Sequence, residues 1–283
     1  MTMDTDQSSL GTLYLVATPI GNLEDMSFRA VRTLKEVSLI AAEDTRHTRK
    51  LLQHYEITTP MVSYHQHNEK LRSEELVKAL TEGKSIGLVS DAGTPGISDP
   101  GEELVRRCLE EDIPVTIVPG ANAAVSALVI SGLSARSFCF LGFLSPNKTE
   151  RQEQLDQLRS MKGTAILYEA PHRLQKTLKV LLEELGDITV SLVRELTKIH
   201  ETVWRGNISR AIMEMENQRP RGEYVVLLQL ENDKNAETFW QDWTLEQHMD
   251  HYLSQGQTKK EAVKTIAKDR GVPKREIYDI FMK

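Results

Sequence analysis

Two cysteines in 283 residues are too few to build with. Cys108 falls in an amphipathic helical pattern and Cys139 in an apolar strand pattern. Neither has the neighbours of a disulfide framework or a zinc site, so both read as buried thiols of a reducing compartment. No apolar run approaches the roughly 18 residues of a membrane span. The polar, acidic opening has the pattern of neither a signal nor a transit sequence, and the expected location is the cytoplasm. The glycine spacing of a dinucleotide fingerprint is absent. Gly83-Lys84-Ser85 has the tail of a phosphate-binding P-loop, but Lys78 stands where its first glycine belongs and the segment precedes a strand, so nucleoside triphosphate hydrolysis fits poorly. His65 and His67 alternate without further matched ligands. They read as local hydrogen-bonding groups or as facing a cleft, and no metal is expected.

What the sequence does have is concentrated in LVSDAGTPGISDPG, residues 88–101. The apolar run before it predicts a buried strand, and an amphipathic helix is expected from about Glu102. Gly93 and Gly96 allow a left-handed backbone and close approach to a ligand, and Pro95 stiffens the turn between them. Asp99-Pro100 reads as the helix start, an N-cap acceptor followed by proline. Such a loop is either a rigid turn or, at the carboxyl end of a central strand in an open α/β sheet, the place where ligands bind.

The rest of the chain repeats this grammar. Short apolar strands at 13–17, 39–42 and 115–118 alternate with helices, which predicts a mostly parallel sheet covered on both faces. The second strand ends in Glu43, Asp44, Arg46 and His47. Asp44 or Thr45 would cap a helix there; alternatively, the cluster is a rim that handles an anionic, polyhydroxylated substrate. Residues 131–134 read as a hinge. A second set of strands then ends in Glu169-Ala170-Pro171-His172-Arg173 and in 194–198 (RELTK), followed by Glu201, so both halves address one cleft, a common site for a pocket. The expected organisation is a tail (1–12), two α/β domains (13–121 and 122–232), a polar linker (233–243) and a helical module (244–283). Residues 257–283 hold eight Lys/Arg against four acids. On a chain of net charge −6, that surplus of four leaves −10 elsewhere. The basic module is either a polyanion contact, through Lys259, Lys260 and Lys264, or a solvated cap.

Six segments in this order resemble one family: ATPIGNL (17–23), AEDTRH (42–47), VSDAGTPGISDPG (89–101), PG (119–120), EAPHR (169–173) and RELTK (194–198). They are similar to the tetrapyrrole methylase superfamily, and within it to the ribosomal RNA small-subunit methyltransferase I family. The module resembles that family's helix-turn-helix-like extension. The resemblance implies two α/β domains with S-adenosylmethionine in the cleft between them, a homodimer, and methyl transfer to the ribose 2′-OH of a decoding-centre cytidine (cytidine 1402) of 16S ribosomal RNA in the small subunit. By position, Ile20, the loop Ser90, Asp91, Ala92, Gly93, Thr94, Pro95 and Ile97, then Asn122, Ala123, Tyr168 and Glu169 would surround the cofactor. For the general base the candidates are Asp44, Lys198 and Glu201, in that order. Arg46, His47, His172 and Arg173 would hold phosphate and ribose. Two other readings stay open: the same fold acting on a tetrapyrrole or a protein side chain, and a non-enzymatic RNA-binding assembly factor.

Overall fold

The structure, a computed structural model, describes residues 10–217, 220–230, 240, 243–254, 256–270 and 272–282. The chain divides into two compact units, Met1–Leu158 with Gly163–Gln229, and Arg159–Lys162 with Leu230–Lys283.

The larger unit opens with β1 (Leu13–Val16), α1 (Phe28–Glu36), β2 (Leu39–Ala42), α2 (Thr45–His54), β3 (Met61–Ser63), α3 (Glu69–Thr81), β4 (Ile86–Val89), α4 (Glu102–Glu110) and β5 (Val115–Val118). The five strands form one sheet in the order β3-β2-β4-β1-β5, each pair parallel. Every residue of β4 is buried, which is why it reads as an unbroken apolar run rather than an alternation. Alternate residues face opposite layers. Ile40, Ala42 and Val89 pack on Ala30 and Leu34 of α1 and Leu52 of α2. Ala41, Ile86 and Leu88 pack on Leu76 and Leu80 of α3 and on Leu104 and Cys108 of α4.

Next come α5 (Ala123–Ser131), β6 (Phe138–Gly142), α6 (Lys148–Ser160), β7 (Gly163–Glu169), α7 (Pro171–Leu185), β8 (Thr189–Arg194), β9 (Thr202–Asn207), α8 (Ile208–Asn217) and β10 (Tyr224–Leu230). The second sheet runs β6-β7-β10-β8-β9 and is mixed: β6 and β7 are parallel, while β8 is antiparallel to both β9 and β10. Helix α5 starts on Asn122, whose side chain accepts from Val125 N at 3.1 Å. Its Ala124, Ala127 and Leu128 pack on Ile166, Val193 and Leu227 of this second sheet. The passage between sheets therefore falls at residues 119–121, ahead of α5. The expected hinge at 131–134 is instead the helix end, with Gly132 left-handed at φ 81°.

Helices α9 (Leu245–Ser254), α10 (Lys259–Asp269) and α11 (Lys274–Phe281) make the smaller unit around Met249, Tyr252, Val263, Ile266 and Ile277. His248, fully buried, stacks on Trp240 and accepts from Arg270 Nε at 3.2 Å. Most of the expected linker, 231–239 with 241–242, lies outside the described residues, as does the tail through residue 9.

Candidate active site between two sets of strand ends

The loops after β1 and β4 are tied to each other before they reach any ligand. Thr18 and Gly93 exchange backbone hydrogen bonds at 2.8 and 3.0 Å, and Thr18 Oγ1 donates to Ser90 O at 3.3 Å. Thr94 Oγ1 donates to Ala121 O at 3.2 Å, which ties in the loop after β5. Gly93 is left-handed (φ 83°), and a side chain there would press on Ile20 at 3.2 Å. The result is a rigid wall of backbone.

Facing it are the ends of β6, β7 and β8 and the start of β10, and the two walls enclose a cavity of about 490 Å³. Ile20, Ala92, Gly93, Thr94, Ile97, Ser98, Asp99, Asn122 and Ala123 line one side. Phe143, Tyr168, Glu169, His172, Val193, Leu196, Lys198, Glu223 and Val225 are among those lining the other. That volume lies in the range of small-molecule sites. Among the described residues, five that are not glycine have positive φ, and three of them flank this cavity: Ser98 (65°), Glu195 (51°) and Thr197 (68°). Backbone held in such conformations concentrates at functional sites.

The charged wall is knitted internally. Glu169, buried, accepts from Thr177 Oγ1 at 2.5 Å and from Ala170 N at 2.8 Å, and Arg173 Nε stands 3.3 Å from it. Lys198 Nζ donates to Glu195 and Glu223, both at 2.9 Å. Partial burial works against the lysine's charge, but these two carboxylates outweigh it and raise its pKa. The lysine's stem crosses Gly21, where a Cβ would lie 2.5 Å from Lys198 Cγ, so this close packing requires the missing side chain.

Of the residues expected around a cofactor, Ile20, Ala92, Gly93, Thr94, Ile97, Asn122, Ala123, Tyr168 and Glu169 line the cavity. Ser90 is buried behind it, Asp91 accepts from Asp44 N at 3.0 Å, and Pro95 is buried; none of these three is in the lining. Of the expected bases, only Lys198 lines it. Glu201 accepts from Thr197 N at 2.7 Å and fixes the turn that presents Lys198. Asp44 caps α2 and accepts from Arg46 N at 2.8 Å, Nε at 3.1 Å and Nη2 at 2.8 Å. Those bonds from Arg46 hold its carboxyl far below the usual carboxylate range, the opposite of what proton abstraction asks for. His172 lines the cavity, and Arg173 lies behind it on Glu169 and the Leu144 carbonyl. Arg46 and His47 are exposed on α2, and Lys259, Lys260 and Lys264 are exposed on α10. His65 and His67 lie past β3, rings 6.0 Å apart; no group of His, Cys, Asp or Glu among the described residues would hold a metal.

The sequence reading missed Asp99 and Glu223. Asp99 was expected to cap α4, but Gly101 holds the cap position and no side chain bonds there. Asp99 instead lines the cavity, hydrogen-bonded to Ser90, where burial and then the neighbouring Glu43 push its pKa up to about 6. Glu223 follows Gly222 at a strand start, and its N–H donates to Glu195 at 3.0 Å.

This pair of sheets with a cavity walled by their strand ends is the tetrapyrrole methylase architecture, and the family model described as Tetrapyrrole (Corrin/Porphyrin) Methylases matches residues 12–212. A solved structure of the same fold, uroporphyrin-III C-methyltransferase from Thermus thermophilus complexed with S-adenyl homocysteine, aligns with TM-score 0.55 at 20% identity over 77% of this chain and 97% of that one. Closer in sequence is the ribosomal RNA small subunit methyltransferase I of Halalkalibacterium halodurans, 50% identical over 96% of this chain and 94% of that protein. The Bacillus subtilis protein of the same name is 48% identical over 97% and 95%. The chain belongs to the ribosomal RNA small subunit methyltransferase I family.

Proposed function

We propose that the protein methylates the ribose 2′-OH of cytidine 1402 of 16S ribosomal RNA, with S-adenosylmethionine as donor. The observation that carries this, beside family membership, is the cavity itself, with loop backbone along one wall and carboxylates on both, Asp99 on that wall and Glu169 and Glu223 on the other. The donor set fits the cofactor. Tyr168 and Phe143 offer aromatic faces, Asn122 and the loop after β4 offer backbone groups, and Asp99, Glu169 and Glu223 supply negative charge for a cationic sulfonium. When bound, S-adenosylmethionine supplies an electrophilic methyl group for in-line displacement.

The chain's own residues then have two tasks, to align the acceptor oxygen and to take its proton. Lys198, braced by Glu195 and Glu223, is a fixed ammonium at the cavity wall that orients the ribose or its phosphate. Asp99 is the proton acceptor of first choice, since a carboxyl titrating near 6 is ionised at neutral pH yet basic enough to accept. Asp44, first in the sequence-derived order, serves the start of α2. His172 borders the substrate, and Lys259, Lys260 and Lys264 of the basic module contact RNA phosphates. The protein works in the cytoplasm as a homodimer. Val125 and Val129, 49% and 73% exposed on the largely apolar helix α5, are a face for a second copy.

The test is tritiated methyl transfer from S-adenosylmethionine to small ribosomal subunits and to free 16S RNA, followed by mapping of the label. Label on the 2′-oxygen of that cytidine is the expected result. Label on a base, on protein or on an added tetrapyrrole, or no label with tight cofactor binding, overturns it.

A further inference from the structure

The positive charges of this chain are not evenly neutralised. On α4, Arg106 pairs with Glu103 and Glu110, and Arg107 pairs with Glu103 and Glu74. Helices α1 and α2 are different. They pack side by side on one face of the parallel sheet, and together hold six Lys/Arg and one acid, Glu36. Arg46 pairs with Asp44 at the start of α2, and Arg29 reaches the Ile117 carbonyl at 3.5 Å. Arg32, Lys35, Arg49 and Lys50 are exposed, and none has a carboxylate at ion-pair distance among the described residues. The remaining outward positions of α2 are His47, Gln53 and His54, so the helix presents no negative group to solvent.

Beside α1, where Tyr55 ends α2, runs a shallow groove of about 530 Å³ lined by Met26, Phe28, Val31 and Tyr55 and edged by Arg32, Lys35 and Glu36. Phe28 is 97% exposed. The helix start does not need it, because Ser27 already caps α1 through Ala30 N at 3.1 Å. A bare aromatic ring among unpaired cations is the combination that holds single-stranded RNA: cations on the phosphates, a base on the ring. The face also leads to the cavity. Asp91, next to the cavity-lining Ala92, bonds the backbone of Asp44, the cap from which α2 extends for about 15 Å. Of the nearby acids, Glu36 lines the groove, and Glu24 and Asp25 lie close enough to Tyr55 to act on its hydroxyl.

We propose that the α1–α2 face, with Arg32, Lys35, Arg49 and Lys50 on phosphates and Phe28 under a base, docks the substrate RNA and feeds it to the cavity. This rests on the reading that RNA is the substrate. The chain as a whole is acidic and repels phosphate, so a local patch has to supply the attraction.

The experiment measures affinity for small ribosomal subunits at several potassium chloride concentrations, for wild type, R49Q/K50Q and F28A, with R106Q as a paired-cation control. Calorimetric titration with S-adenosylmethionine shows that each variant keeps its cavity. Each phosphate left without its cation should flatten the log–log salt slope by about 0.7 to 0.9, so R49Q/K50Q is expected to flatten it by between one and two units. F28A is expected to weaken binding about tenfold at unchanged slope. R106Q should match wild type. An unchanged slope in R49Q/K50Q overturns the proposal whether or not affinity falls, since these two cations would then neutralise no phosphate. Unchanged affinity in F28A removes the stacking role. Failure of wild type to label small subunits would instead overturn the assignment of RNA as substrate, and this face with it.

Discussion

Strands β2 and β4 lie side by side in the parallel sheet and each hands the chain to a helix, but the two turns differ in length. After β2 only Glu43 and Asp44 intervene before α2; after β4 twelve residues intervene before α4. In the short turn the aspartate has no room to leave the helix and caps it. In the long one Gly101 (φ 148°) takes the cap position, its N–H donates to Glu69 at 3.2 Å, and Asp99 is released to the cavity. Asp44 thus ends bound by Arg46 with its acidity raised, and Asp99 ends half-buried near Glu43 with its acidity lowered. Loop length, by deciding who caps the helix, decides which carboxylate has chemistry to offer.

The sharpest way to break the comparison is Asp99→Asn. Turnover is expected to fall about 100-fold or more, the range for a lost general base, with cofactor affinity kept within a few-fold. Wild-type turnover should climb as pH rises through about 6. Stability should move the other way. A carboxyl whose folded pKa is raised contributes stability that is complete below its unfolded value, near 3.8, and lost as pH rises through about 6. At pH 8, Asp99→Asn is therefore expected to be more stable than wild type by about 1 kcal/mol or more, read by urea melts at pH 4 and pH 8. A variant that is dead and destabilised at pH 8 would mean that the carboxylate is structural.

Next in size is the backbone wall. Gly93→Val adds strain and a clash with Ile20 and should weaken cofactor binding tenfold or more, about 1.4 kcal/mol. Gly96→Asn, at a left-handed position with nothing within 4 Å, should leave it nearly unchanged by calorimetric titration. Smaller again, Lys198→Met strips Glu195 and Glu223 of their shared partner and should lower kcat/KM roughly tenfold. The smallest effect belongs to Asp44. Asn caps as well as Asp, so Asp44→Asn should keep turnover within about threefold, while Asp44→Ala should lower Tm by about 2 °C. Loss of turnover in Asp44→Asn would return the proton-accepting role to α2.

Much of this was legible in the sequence, and for identifiable reasons. The loop at 90–101 stood out because glycine and proline have few other uses in that density, and the parallel sheet followed from apolar runs spaced by amphipathic ones. The two aspartates were not separable, because each precedes a helix in a sequence compatible with capping. Only the placement of Gly101 in space tells them apart. Strand β9 also escaped, since Gly206 interrupts the alternation of Val203 and Arg205 with their neighbours. Glu223 carried no signal beyond following a glycine, and residues 131–134 read as a hinge because the left-handed Gly132 that ends α5 looks in sequence like a break between domains.

The cavity belongs to neither sheet alone, and this has a consequence for the lifetime of the protein. Whatever fills it clamps the end of the parallel sheet to the end of the mixed one, so ligand concentration sets resistance to unfolding. At one hundred times its dissociation constant, a cofactor that ignores the unfolded chain adds about 2.7 kcal/mol. Starved of cofactor, this unit opens more often and meets proteases in that state. The supply of methyl donor then governs how much of the protein persists as well as how fast it works.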